Sequence, residues 1–149
     1  MRSAGNGYSK ITELIVARGA NIDAQNDEGN TALILAACKG YLTIVRFLIE
    51  RGSDINIRNH NNDTVLTPTV LRADSIITKL LIQRGIDINS QNNQGNTALI
   101  FATRVGSVKI ASLLIEAGAN INTQNHNGYT ALMTAQIDNH LEIEKLLKK

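Results

Sequence analysis

The chain has 149 residues, 43% of them hydrophobic and 19% charged, with a formal net charge of +2. That length and apolar fraction suit one packed domain and exclude a disordered chain, while the near-balance of charge gives no strong field for nucleic acid or a membrane surface. One cysteine, Cys38, excludes an intrachain disulfide and a thiolate zinc site, and 3% aromatic residues without Trp argue against a base-stacking platform or an aromatic cofactor pocket.

Residues Met1 to Gly7 carry no apolar stretch of the signal-peptide kind, and the longest unbroken apolar run, Ala32 to Cys38, is far too short to cross a bilayer. The expected compartment is therefore the cytoplasm, with delivery into a host cell as the alternative. Apolar residues at helical spacing predict a helix from Tyr8 to Arg18. Asn26-Asp27-Glu28-Gly29 then has Asn at the first and Gly at the last position of a turn. Thr31 is placed to cap a short helix carrying Leu33, Ala36 and Ala37, whose small side chains let a neighbour approach closely. Gly40 breaks that helix. Ile44, Phe47 and Leu48 give a second one, ending in Arg51-Gly52 with a cation near the negative helix end and Gly just beyond it. The extended Asp54-Ile55-Asn56 leads to the next turn.

From here the pattern returns every 33 residues. Thr31-Ala32-Leu33-Ile34 recurs as Thr64-Val65-Leu66-Thr67, Thr97-Ala98-Leu99-Ile100 and Thr130-Ala131-Leu132-Met133. Gly19, Gly52, Gly85 and Gly118 keep the same register, as do Asn26, Asn59, Asn92 and Asn125, and Ile11, Ile44, Ile77, Ile110 and Ile143. The Asn ladder is expected to satisfy backbone groups of the turns. A pair of short helices cannot bury its apolar seam alone, so the units should stack into a continuous core. The second turn, Asn59-His60-Asn61-Asn62, replaces Gly with Asn, the next best residue at positive φ. The unit after it diverges most. Thr69 stands where other units have Ala36, Ala102 and Ala135, and Ala73-Asp74 stands at Gly40-Tyr41. Pro68 should disfavour α conformation at Thr67 and remove one early hydrogen bond, giving an irregular but intact unit.

The 33-residue period and the T-A-L-I form resemble the ankyrin repeat over essentially the whole chain. The resemblance implies an all-α solenoid of stacked helix–turn–helix units with turn or β-hairpin-like fingers, in one domain of residues 1–149. It divides into a truncated repeat at 1–26, repeats at 27–59, 60–92 (divergent) and 93–125, and a C-terminal capping repeat at 126–149. In this frame Ser3-Ala4-Gly5-Asn6-Gly7 aligns with Ala36-Ala37-Cys38-Lys39-Gly40, so the chain should begin inside a first helix, leaving Tyr8 to Arg18 short of a partner. Lys145, Lys148 and Lys149 should form a cationic final turn. The family's T-P-L-H signature is not kept. Its Pro is Ala32, Val65, Ala98 or Ala131 and its His is Ile34, Thr67, Ile100 or Met133, so the hydrogen bonding of that His should be absent.

Chemistry finds little support. His60 and His126 sit at turn tips with a finger between them and read as solvent-exposed turn residues. Cys38 has no predictable base beside it, as a nucleophile would need. No carboxylates are predicted to share a pocket, and the glycines follow the structural period and not a phosphate-cradling run. Asn62-Asp63-Thr64 is a formal glycosylation acceptor that matters only on secretion. No catalytic, cofactor or metal site is expected.

The resemblance implies instead a concave face of fingers and first helices, where the period leaves positions free. At the fingers these are Asp27, Glu28 and Asn30; Arg58, His60, Asn61 and Asp63; Asn93, Gln94 and Asn96; and His126, Asn127 and Tyr129. On the first helices they are Lys39, Leu71, Arg72, Arg104, Val105, Ile137 and Asp138, with Cys38 beside them. The charges cancel, which does not suit a phosphate groove. Apolar and Arg anchors within a polar rim suit a protein or peptide. The expectation is a non-catalytic, monomeric protein-binding module with no nucleic-acid or membrane partner. The alternative is a spacer or scaffold segment of a longer repeat protein, self-associating as a dimer through its N-terminal end.

Overall fold

The computed structural model describes residues 2–148, with side chains from 8 to 148. The described residues form helices α1 (Arg2–Ala17), α2 (Ala32–Lys39), α3 (Leu42–Glu50), α4 (Leu66–Leu71) and α5 (Ser75–Gln83), then α6 (Ala98–Arg104), α7 (Val108–Glu116), α8 (Ala131–Ile137) and α9 (Leu141–Leu147). No strand occurs among them, so the fingers are turns. Helices of six to nine residues are too short to persist alone in water, and packing holds them. The helices pair as α2/α3, α4/α5, α6/α7 and α8/α9, while first helices contact first helices along the stack and, on the other side, α1 contacts α3, α5 contacts α7 and α7 contacts α9. Leu33, Leu48, Ile77, Leu81, Leu99, Ile110, Leu114 and Ile143 lie almost fully buried in the core these contacts enclose.

Local chemistry sets the boundaries. Thr31, Thr97 and Thr130 accept at their hydroxyls from the N–H of Ile34, Ile100 and Met133, as capping predicts. The bend between paired helices runs through a left-handed residue at Gly40, Ala73, Gly106 and Asn139, with φ of 72°, 54°, 69° and 57°. The next N–H then donates back into the first helix, from Tyr41 to the Ala36 carbonyl and from Ser107 to that of Ala102.

Two expectations are corrected. The break at Gly7 does not occur: the backbone from Arg2 to Ala17 is one helix, which packs on α3 as α5 packs on α7. The first-helix register of the Ser3–Gly7 side chains, and the place of Lys149, lie outside what is described. Thr67 is helical despite Pro68, in an α4 that starts at Leu66, one residue later than its counterparts. Pro68 does remove the early bond that Leu35, Phe101 and Thr134 donate to the Thr31, Thr97 and Thr130 carbonyls, and the Thr64 carbonyl accepts from the Thr67 N–H at 3.2 Å instead. In the last unit Lys148 bonds Glu144 at 2.6 Å across one helical turn, and this bond, followed by that from Gln136, holds the Glu144 carboxyl below its ordinary range.

Candidate functional site

Each finger is closed by its own asparagine. The Oδ1 of Asn59 accepts from the N–H of Asn61 and Asp63, that of Asn92 from Gln94 and Asn96, and that of Asn125 from Asn127 and Tyr129. The amide NH2 of the same residue reaches the preceding finger. Asn59 Nδ2 donates to Asn30 Oδ1 at 2.9 Å, Asn92 Nδ2 to Asp63 Oδ1 at 3.1 Å, and Asn125 Nδ2 to Asn96 Oδ1 at 2.9 Å. A backbone bond runs beside each rung, from His60, Asn93 and His126 N–H to the carbonyls of Glu28, Asn61 and Gln94. A third series lies a few residues earlier. Gln25 donates to the Arg58 carbonyl, Arg58 to that of Gln91, and Gln91 to that of Gln124, at 2.9, 3.2 and 3.1 Å.

This bonding engages several residues of the expected binding face within the stack itself. Asn96 is 7% exposed, and Asn30 and Asp63 are half-buried, because all three are acceptors for the next finger and not free contacts. Arg58 is exposed but also bonded into the ladder, and it pairs with Asp87 at 3.5 Å. Asn93 donates its side chain to the His60 carbonyl. His60 and His126 are exposed, yet a Cβ placed on Gly29 or Gly95 would fall 2.8 or 2.7 Å from their rings, so each ring lies against the preceding finger. Asp27, Glu28, Asn61, Gln94 and Asn127 remain exposed at the tips. Tyr129 stands where other fingers have the acceptor, and its ring is exposed.

On the first helices Lys39, Leu71, Arg72, Arg104, Val105, Ile137 and Asp138 are all exposed. Leu71, Val105 and Ile137 keep 49%, 39% and 61% of their surface in solvent. Arg104 lies over the buried Phe101 ring at 5.6 Å, which steadies the guanidinium without hiding it. Arg72 reaches back over the α2 terminus, where a Cβ on Gly40 would come within 3.0 Å of its Nη2. Burial pushes the Cys38 thiol up despite the cations Lys39 and Arg72 nearby, away from the thiolate that a nucleophile needs. No group of three His, Cys, Asp or Glu side chains converges among the described residues, and no described helix is long and apolar enough to cross a membrane. Sequence reasoning missed Leu35, exposed one turn before Cys38 and Lys39. The signal was its spacing of three and four residues from that pair.

In comparison with known families, residues 69–149 match ankyrin repeats in three copies and residues 2–67 match ankyrin repeats in many copies. No curated protein matches the chain. With matches running from residue 2 to 149 and four stacked helix pairs between them, the chain belongs to the ankyrin-repeat family, whose repeats are generally protein-interaction modules and typically non-catalytic.

Proposed function

We propose that the finger and first-helix face binds a protein or peptide partner. The observation that carries this reading is the exposed apolar series of Leu71, Val105 and Ile137 beside Arg72 and Arg104, on helices whose opposite sides are fully engaged in the core. Apolar and Arg anchors among polar tips are the composition of an interface centre and its rim. The bonded fingers support it as well, because a platform already held in shape loses little freedom on binding. A selection of displayed peptides on the immobilised chain tests this. The selection should yield peptides that lose at least about tenfold in affinity on Arg104→Glu with Ile137→Glu, at an unchanged melting temperature, and ignore Lys145→Glu on α9. A selection that yields no peptide sensitive to the groove pair would refute it.

The spacer or scaffold reading rests on a different observation. Ile11 and Ile15 are about half exposed, whereas their equivalents Ile44 and Leu48 are buried beneath α2, and no first helix covers α1 among the described residues. Self-association through α1 predicts a concentration-dependent mass in analytical ultracentrifugation that Ile11→Glu abolishes.

A further inference from the structure

The second helices carry a feature independent of the face above. Among consecutive second helices, α3 and α5 touch least, and a cleft of about 300 Å³ opens along their seam and onto α7. Arg46 of α3, Lys79 of α5 and Lys109 of α7 line it, with no carboxylate in the lining. None of the three belongs to either ion pair found among the described residues, Arg58–Asp87 and Glu144–Lys148. Ile76, Leu80 and Leu113 are its apolar lining, with Ser75 and Gln83 beside them, and Ile76 is 59% exposed. The repeat register makes Ile76 the odd residue, since Thr43, Lys109 and Glu142 hold the equivalent position in the other units. An exposed β-branched side chain among three unpaired cations has no role in the stack.

We infer that this cleft is a second binding surface, and that it takes an acidic peptide segment presenting one apolar side chain between its carboxylates. The cations supply attraction and orientation, and the cleft wall of Ile76 and Leu113 supplies an apolar seat that water leaves on binding. A phosphodiester chain offers the charge but no side chain for that seat, and no aromatic ring lines the cleft to stack its bases. Interleaved apolar and cationic groups therefore favour peptide over nucleic acid. The exposed position of the cations makes the attraction sensitive to salt.

The test is an NMR titration of the full chain with a capped five-residue peptide, leucine at its centre and glutamate at the other four positions. Shifts should map to α3, α5 and α7. Lys79→Glu with Lys109→Glu should weaken binding at least about tenfold, as should replacing the peptide's glutamates by glutamine, while Arg104→Glu with Ile137→Glu leaves it unchanged. Lys79→Gln with Lys109→Gln, a milder change, should weaken it in the same direction if the charge-reversed chain does not fold. Ile76→Ala should weaken it by a smaller factor. Absence of binding at millimolar peptide, equal binding of the glutamine peptide, indifference to the lysine changes, or shifts confined to the fingers would each overturn the inference. Equally tight binding of an oligonucleotide of the same charge would overturn it in favour of a general anion surface. Loss on the groove pair alone would return the peptide to the face proposed above.

Discussion

Repeats 60–92 and 93–125 occupy neighbouring places in one stack and are built by different means. In the second, Thr97 caps α6, Gly95 and Gly106 supply the left-handed turns, and Ala102 and Ala111 let the helices meet closely. In the first, α4 has no side-chain cap, Asn62 and Ala73 take the left-handed positions, and Thr69 and Thr78 replace the two alanines. Each departure has a partner. The Thr69 hydroxyl donates to the Leu66 carbonyl at 2.7 Å and lies 3.3 Å from that of Thr78, which donates to the Asp74 carbonyl, so both buried hydroxyls are satisfied. Asp74 accepts from the N–H of Ile76 and Ile77, giving α5 a charged cap where Ser107 makes one longer bond at α7. Fold in a stacked array is imposed by neighbours as much as by the unit itself, which lets one unit drift while those beside it hold its shape.

The largest test of that contrast lies in the core. Leu114→Ala removes a fully buried side chain between units and should destabilise by about 2–5 kcal/mol in urea denaturation, with Leu81→Ala comparable despite its divergent surroundings. A much smaller loss at Leu81 would mean that the divergent repeat is loosely packed. The bend between helices gives the next effect, of opposite sign in the two repeats. Gly106→Ala forces a Cβ into left-handed backbone, 2.7 Å from the His140 ring, and should cost at least about 1–2 kcal/mol. Ala73→Gly relieves the same backbone cost and, after the extra freedom it gives the unfolded chain, should stabilise by less than about 1 kcal/mol. The smallest effect is read amide by amide. Hydrogen exchange should be fastest around Thr67 to Ser75 among the internal first helices, because the uncapped six-residue α4 opens before α2 or α6. Uniform protection across the three would erase the contrast.

The repeat period made the helix pairs, the core leucines and the finger turns legible, since each is a local pattern copied several times. What stayed hidden depends on contacts between copies. Asn30, Asp63 and Asn96 look like free polar residues in one unit, and only the asparagine 29 residues further along reveals them as acceptors. The continuous α1 was hidden by Gly7, a residue that ends helices elsewhere in the chain but lies inside one here. Val105, Leu71 and Ile137 were legible as exposed because they fall outside the repeated apolar set. Ile76 was not, because an isoleucine in an amphipathic helix reads as core until its row is compared across units.

The finger ladder also determines which unit could serve as a building block. Residues 93–125 hold both halves of a rung, the acceptor Asn96 and the donor Asn125, and their Gln94 carbonyl meets the N–H of the next copy's first residue, His126. Tandem copies of this unit would match each other at every rung, as teeth on a rack do, and the array could be lengthened without new chemistry. In the copy beginning at 126 Tyr129 stands at the acceptor position, so a following finger would find the Asn127 carbonyl but no side-chain amide or carboxylate oxygen there. One side chain per unit thus completes each joint, and Tyr129→Asn would supply the acceptor that this copy lacks.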